Sequence, residues 1–242
     1  MALILLTCWL TRRPSNIGGF QPFRISPAQQ SRLRVRATRR DIPRCVAFDL
    51  DGLLWRPSLA QLGVANDLAL HCSWPNTGGP PFTRISDNSL RDRRGERVAL
   101  FEGVHEALEE LVIPGGRWYG AKLAVASCCQ EPAWAKACLK AFRFNGRSLS
   151  EILPLQHFAR GSKRLHLRRI ASLAHCKASQ LLFFDNELQH CEDAAELGVT
   201  AVLCPGGLTA ESWKAAVAGF PRPGTVINPK RLRRQKAADG IV

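Results

Sequence analysis

Two carboxylates two positions apart, Asp49 and Asp51, follow the apolar run Cys45-Val46-Ala47-Phe48. The run has the pattern of a buried strand and Asp49-Leu50-Asp51-Gly52 that of a loop. Gly52 permits a turn there, so both carboxylates can face one small volume. Clustered hard oxygens suit Mg²⁺, which takes one or two carboxylates, waters and a phosphate oxygen. A lone D-x-D is a weak signal, because acidic loops are common. Three further places make it strong: Ser127 after a second apolar run, Lys163 at a helix start, and Asp185 with Asn186 after a third run.

Strands and helices alternate in the order needed to bring these residues together. Ala121 to Ala126, Leu181 to Phe184 and Val199 to Leu203 read as further buried strands. Glu102 to Val112 has apolar residues at 104, 107, 108 and 111, which is helical spacing. Helices are also expected over 131–141, with Pro132 early, and from the cap Ser162 to about Ala174. Two more are expected over 187–197, closed by Gly198, and over 209–219. Buried strands alternating with amphipathic helices predict an α/β fold, a Rossmann-like doubly wound parallel sheet. Sites in such sheets lie outside the carboxyl ends of the strands, where all four places fall. Residues 71–95, rich in Pro, Gly, Asn and Arg, read as an irregular insert.

The ordered set resembles the haloacid dehalogenase (HAD) phosphohydrolase superfamily, and within it the eukaryotic magnesium-dependent (MDP-type, acid phosphatase-like) phosphatases. The resemblance spans 45–220 and rests on five segments. They are Phe48-Asp49-Leu50-Asp51 with Leu54-Trp55, Arg91-Asp92-Arg93-Arg94-Gly95, Ala126-Ser127, Gly161-Ser162-Lys163, and Phe183-Phe184-Asp185-Asn186-Glu187. It implies the HAD fold without a cap, or with a minimal flap from the insert. It implies an Mg²⁺-dependent phosphatase acting through an aspartyl-phosphate. Asp49 would be the nucleophile and Asp51 the general acid/base. Ser127 and Lys163 would bind the phosphoryl group, Lys163 also neutralising the nucleophile. Asp49, the Asp51 backbone carbonyl, Asp185 and Asn186 would hold the metal. Phosphorylated proteins, phosphotyrosine included, and small sugar phosphates are the implied substrates.

The sequence departs from that pattern in three places. Leu53 stands where the superfamily usually has Thr, a packing change. Asn186 replaces a second Asp but still offers an oxygen ligand. Cys128-Cys129 replaces the Arg-Thr that often follows the Ser, which removes a cation from substrate recognition. These departures motivate an alternative, a catalytically impaired HAD-fold binding or scaffold protein. Trp55 and Trp74 are candidates for the substrate entrance. Arg91, Arg93 and Arg94 fit either a solvated hairpin tip or a substrate-recognition loop. The six His lack ligand spacing and receive no role.

The chain has 242 residues, 45% hydrophobic and 22% charged, which excludes fibrous and fully disordered classes. Its formal charge of +14 lies in the ends. Residues 1–40 hold eight Arg and no acid, and 221–242 hold six basic residues and one Asp, so 41–220 is left at +1. That distribution argues against a dedicated nucleic-acid binder, which carries its basic stripe on the folded face. Nine Cys without a C-x-x-C pair read as free thiols rather than a metal ribbon or disulfide framework. No apolar stretch approaches the length of a membrane span. The expected organisation is a basic leader over 1–40, a phosphatase domain over 41–220 and a disordered basic tail over 221–242, in a monomer.

The Arg-bearing, acid-free leader has the composition of an organelle transit peptide. Val35-Arg36-Ala37 resembles a plastid processing site, so the chloroplast is expected before the mitochondrion, with the cytoplasm as the alternative. Residues 1–37 fused to a fluorescent protein are expected to direct it to the plastid and be removed there. A full-length, unprocessed fusion in the cytosol would sink the assignment.

Overall fold

The computed structural model describes residues 42–62, 81–129, 132–231 and 233. The expected leader, Cys72 and Trp74 lie outside the described residues. In chain order come β1 (Cys45–Phe48), β2 (Trp55–Arg56), β3 (Phe82–Ser86), β4 (Ser89–Asp92), β5 (Arg97–Leu100) and α1 (Glu102–Val112). Then follow β6 (Lys122–Ser127), α2 (Pro132–Ala141), the short hairpin β7 (Arg143–Phe144) and β8 (Arg147–Ser148), α3 (Leu149–Ile152), β9 (Leu155–Phe158) and α4 (Lys163–Ala174). The chain continues through β10 (Leu181–Asp185), α5 (Leu188–Glu196), β11 (Thr200–Leu203), α6 (Ala210–Gly219) and β12 (Thr225–Ile227). No helix among the described residues is long and apolar enough to cross a membrane.

The main sheet has six parallel strands in the order β12-β11-β10-β1-β6-β9. From β1 the chain builds outward through β6 to β9, then returns to β1's other side with β10. The reversal falls beside β1, so a crevice opens at its carboxyl end. Successive side chains of β1 point to opposite faces. Val46 and Phe48 join a core with α1, α2 and α6 through Val104, Leu139 and Trp213. Cys45 and Ala47 join a second core with α4 and α5 through Leu167, Ile170 and Ala194. On β1 and β6 the residues of that second face are small, Cys45, Ala47, Ala124 and Ala126, and α4 lies against them.

Three findings differ from the sequence expectation. The sheet does not end at residue 220, because Thr225 to Ile227 pair with Thr200 to Val202 as β12; the tail begins after a strand too short to stand out among Pro and Arg. Leu155 to Phe158 form an edge strand, β9, whose half-buried residues give no apolar run. The described part of the insert forms β3 and β4, which join β5 and β2 in an antiparallel sheet of order β2-β5-β4-β3. Asp92 caps its β4–β5 turn, accepting from the amides of Arg94 (2.9 Å) and Glu96 (2.8 Å). The seven described cysteines are free thiols.

α1 and the start of α6 meet at Gly103, which lies within the first turn of α1. A Cβ there would sit 2.5 Å from the Thr209 carbonyl carbon, closer than packed atoms approach. Gly103→Ala is expected to lower stability by about 1–3 kcal/mol, the usual cost of overpacking. A lower urea midpoint at unchanged m reads that loss; an unchanged midpoint would contradict the close approach.

Candidate active site

The ends of β1, β6 and β10 converge, and the residue that joins them enters from helix α4. Lys163 opens that helix behind Ser162, whose hydroxyl caps it by accepting from the Arg164 amide (3.2 Å) and donates to Asp193 (2.6 Å). The Lys163 side chain has no solvent exposure. Its ammonium donates to Asp49 Oδ1 (2.5 Å) and the Ala126 carbonyl (2.7 Å). Asp185 Oδ2 stands 3.1 Å away as an ion pair. A buried ammonium survives only if its donors are met; burial pulls its pKa down, and Asp49 and Asp185 more than offset that and raise it. Asp49 feels the reverse balance. Burial pushes it up most, Asp185 and Asp51 add to that, and Lys163 opposes.

Asp51 is fixed by the segment that directly follows it. Its Oδ1 accepts from the Trp55 indole (2.7 Å) and the Leu59 amide (3.1 Å). Burial raises its pKa despite both bonds, which favours the protonated form a general acid needs. Trp55 therefore does not line an entrance: it is buried, stacked on Phe142 at 5.9 Å, and orients Asp51.

Asp185 ends β10. Burial alone would push it up, but the His190 hydrogen bond (3.3 Å), Lys163 and the Glu187 amide (2.9 Å) together hold it below the ordinary carboxylate range. His190, half-buried on the first turn of α5, is raised in turn by that bond. Sequence reasoning gave no histidine a role; the Asp185–His190 spacing means nothing until a helix is known to start between them. Asn186 turns its amide toward Gly52, whose absent Cβ would lie 2.9 Å from Asn186 Nδ2. Its Oδ1 is buried without a hydrogen-bond partner.

Ser127 is buried at the end of β6, its hydroxyl accepting from the Cys129 amide at 3.2 Å. Cys128 Sγ lies 3.2 Å from the Gly161 carbonyl and 3.6 Å from His166 Nε2. His166 is fully buried, its Nδ1 3.2 Å from the His157 carbonyl and 3.0 Å from His157 Nδ1.

Asp49, Asp51, Ser127 and Asn186 thus open on one cleft of about 440 Å³, with Cys128, Cys129, His190 and Arg56 on its walls. It is not the largest concavity: a groove of about 610 Å³ lies beside Ile42 and Phe220. Chemistry rather than size marks the site. None of Arg91 to Gly95 is among the described residues lining the cleft. No three His, Cys, Asp or Glu side chains among the described residues are grouped to hold a metal. A set of two carboxylates and an unpartnered amide oxygen nevertheless fits a hard cation that keeps several waters.

A parallel sheet with a carboxylate after its first strand, a buried lysine and a second carboxylate at an adjoining strand end is the arrangement of a HAD-like hydrolase. Over residues 41–222 the chain matches the Acid Phosphatase family. It is 30% identical over 189 residues to magnesium-dependent phosphatase 1 of Homo sapiens, covering 76% of this chain and 90% of that protein. The chain belongs to this family, the MDP-type branch of the HAD superfamily, and is a phosphatase. Among solved structures it is similar to CbbY from Rhodobacter sphaeroides in complex with phosphate, with 16% identity, 70% of this chain and 89% of that one covered, and a TM-score of 0.46. A haloacid dehalogenase-like hydrolase from Xanthomonas campestris aligns at 14% identity over 82% of this chain and 98% of that one, with a TM-score of 0.44.

Burial lowers the His166 pKa from 6.5 to about 4. Below pH 6.5 the unfolded chain takes up a proton that the folded protein refuses until about pH 4. Stability should therefore fall as pH drops through that window, by roughly 3 kcal/mol in all. Urea unfolding from pH 7 to 4 should show a shallower decline for His166→Gln by about one proton's slope. Parallel declines would show that His166 is charged in the native state.

Proposed function

We propose that the protein hydrolyses phosphomonoesters with Mg²⁺ through an aspartyl-phosphate on Asp49. The observation that carries this reading is the Asp49–Lys163–Asp185 cluster, in which one buried ammonium aligns a carboxylate toward the cleft. Asp49 attacks phosphorus, and Asp51 gives its proton to the leaving oxygen. Asp51 then takes a proton from the water that releases phosphate, closing the cycle. The Ser127 hydroxyl, which accepts from the Cys129 amide, donates to a phosphoryl oxygen. Lys163 offsets the charge of the nucleophile and of the arriving anion.

Asp49, Asp185, the unpartnered Asn186 oxygen and the Asp51 main-chain carbonyl would hold the metal. Bound there, Mg²⁺ would supply Lewis-acid neutralisation of the phosphoryl oxygens. The substrates of this reading are a phosphorylated side chain of a protein, phosphotyrosine included, or a sugar phosphate, whose phosphoryl group enters the cleft beside Asp49 and Ser127.

Asp185→Ala and Asn186→Ala are each expected to weaken activity chiefly through Mg²⁺ affinity, so added Mg²⁺ partly restores the rate. Calorimetric titration with Mg²⁺ measures the same loss without turnover. Undiminished hydrolysis in EDTA would rule out the metal.

Asp49→Asn should abolish turnover, since an amide is too weak a nucleophile. Asp51→Asn should slow it by about 10²–10⁴-fold, the usual worth of general acid–base help. The loss should be smaller on aryl than on alkyl phosphates, whose leaving groups need the proton. Acid-quench trapping of the phosphoenzyme and steady-state rates check both; near-wild-type turnover by Asp49→Asn would end the covalent mechanism.

A further inference from the structure

We propose that the groove between β3 and α2 is a docking site for an acidic peptide segment of a protein partner. The groove holds about 590 Å³ and shares no lining residue with the Asp49 cleft. Phe82 and Arg84 of β3 form one wall, Lys136, Ala137 and Lys140 of α2 the other, and Arg143 closes the end. Four of its described lining residues are cations and none is an acid. Residues 41–220 carry a net charge of only +1, so this is a local concentration of charge and not a share of general basicity. Asp87 meets the groove's Arg84 at 4.0 Å, with both side chains about half exposed or more. Such a surface pair contributes little and yields readily to a better-placed carboxylate.

Two of the cations are already held in place. Arg143 donates to the carbonyls of Lys140 (2.5 Å) and Phe142 (3.4 Å). The Lys136 ammonium lies 5.4 Å from the centre of the Phe158 ring. Side chains ordered before binding lose less freedom on binding. Beneath the charged rim the floor is apolar, so an aliphatic side chain flanked by carboxylates matches both parts of the groove. The floor argues for peptide over nucleic acid. Single-stranded nucleic acids are gripped by stacking bases on exposed rings, whereas Phe82 is 3% exposed and packs edge-on against Trp134 at 5.5 Å. This inference concerns binding and does not depend on the catalytic reading above.

The test is fluorescence anisotropy of a labelled, unphosphorylated Glu-rich peptide with a central Leu, titrated with the full chain at low and high salt. Lys136→Glu with Lys140→Glu should weaken binding at least about tenfold, because like charges then face the peptide. The neutral pair Lys136→Gln with Lys140→Gln should fall between, and Arg84→Glu should weaken binding from the opposite wall. Circular dichroism checks that each variant is folded. The basic ends are present in every variant, so the differences report the groove. A photo-crosslinker on the central Leu position should label residues 133–143. Affinities within twofold of wild type in both the Arg84 and the lysine variants would overturn the proposal. So would single-stranded RNA that binds more tightly than the peptide and loses more on charge reversal.

Discussion

A buried ammonium cannot be left alone, and the catalytic end of this protein is arranged around that constraint. Lys163 has no exposure and reaches two carboxylates and one carbonyl from three different strands. Removing one charged partner of such a cluster leaves an uncompensated buried charge, which typically costs about 3–5 kcal/mol. The strand ends at Asp49, Ala126 and Asp185 are thereby tied to one another by a single atom. The small residues that face α4, Ala47, Ala124 and Ala126, belong to the same device, because they let the helix lie against the sheet. Close packing and charge satisfaction are here one requirement met on two sides.

The two carboxylates of the first loop are held differently, and the difference suits different tasks. Asp49 faces Lys163 and stays close to a fixed positive charge. Asp51 feels Lys163 as the least of its influences; neutral donors, an indole and an amide, hold one of its oxygens. Burial favours its protonated form. Burial raises Asp49 as well, so what separates the two carboxylates is the partner, an ammonium for one and neutral donors for the other. Trp55 connects the role of Asp51 to the insert, since the strand it begins pairs with β5. Through that pairing the β-sheet of the insert reaches the site from within the core, while none of the insert's described residues lines the cleft.

The substitutions that set this chain apart from the family pattern have structural accounts. Leu53 is buried and joins the main core. Asn186 keeps an oxygen without a partner at the cleft. Cys128 replaces a cation with a thiol that leans on Gly161 and His166, so the wall after Ser127 is neutral. Arg56, its guanidinium 5.4 Å from the centre of the Phe101 ring, is the cation among the cleft's described lining residues.

Chain-local patterns determined much of this protein. The apolar run before Asp49, the helical spacing from Glu102 to Val112 and the Ser162 cap depend on neighbours a few residues away, and each appears in the structure as the spacing requires. The order of Asp49, Ser127, Lys163 and Asp185 was legible because a parallel sheet delivers every strand end to one side. What depended on distant neighbours was not legible. Thr225 to Ile227 become a strand only because β11 offers an edge. Trp55 is drawn inward by Phe142 and Asp51, not exposed at an entrance. His190 and His166 acquire partners from Asp185, Cys128 and His157, with which they share no periodic pattern. Spacing along a chain encodes which face a residue takes; only the packed sheet decides which residues of other segments that face will meet, since those distances close through tertiary contacts alone.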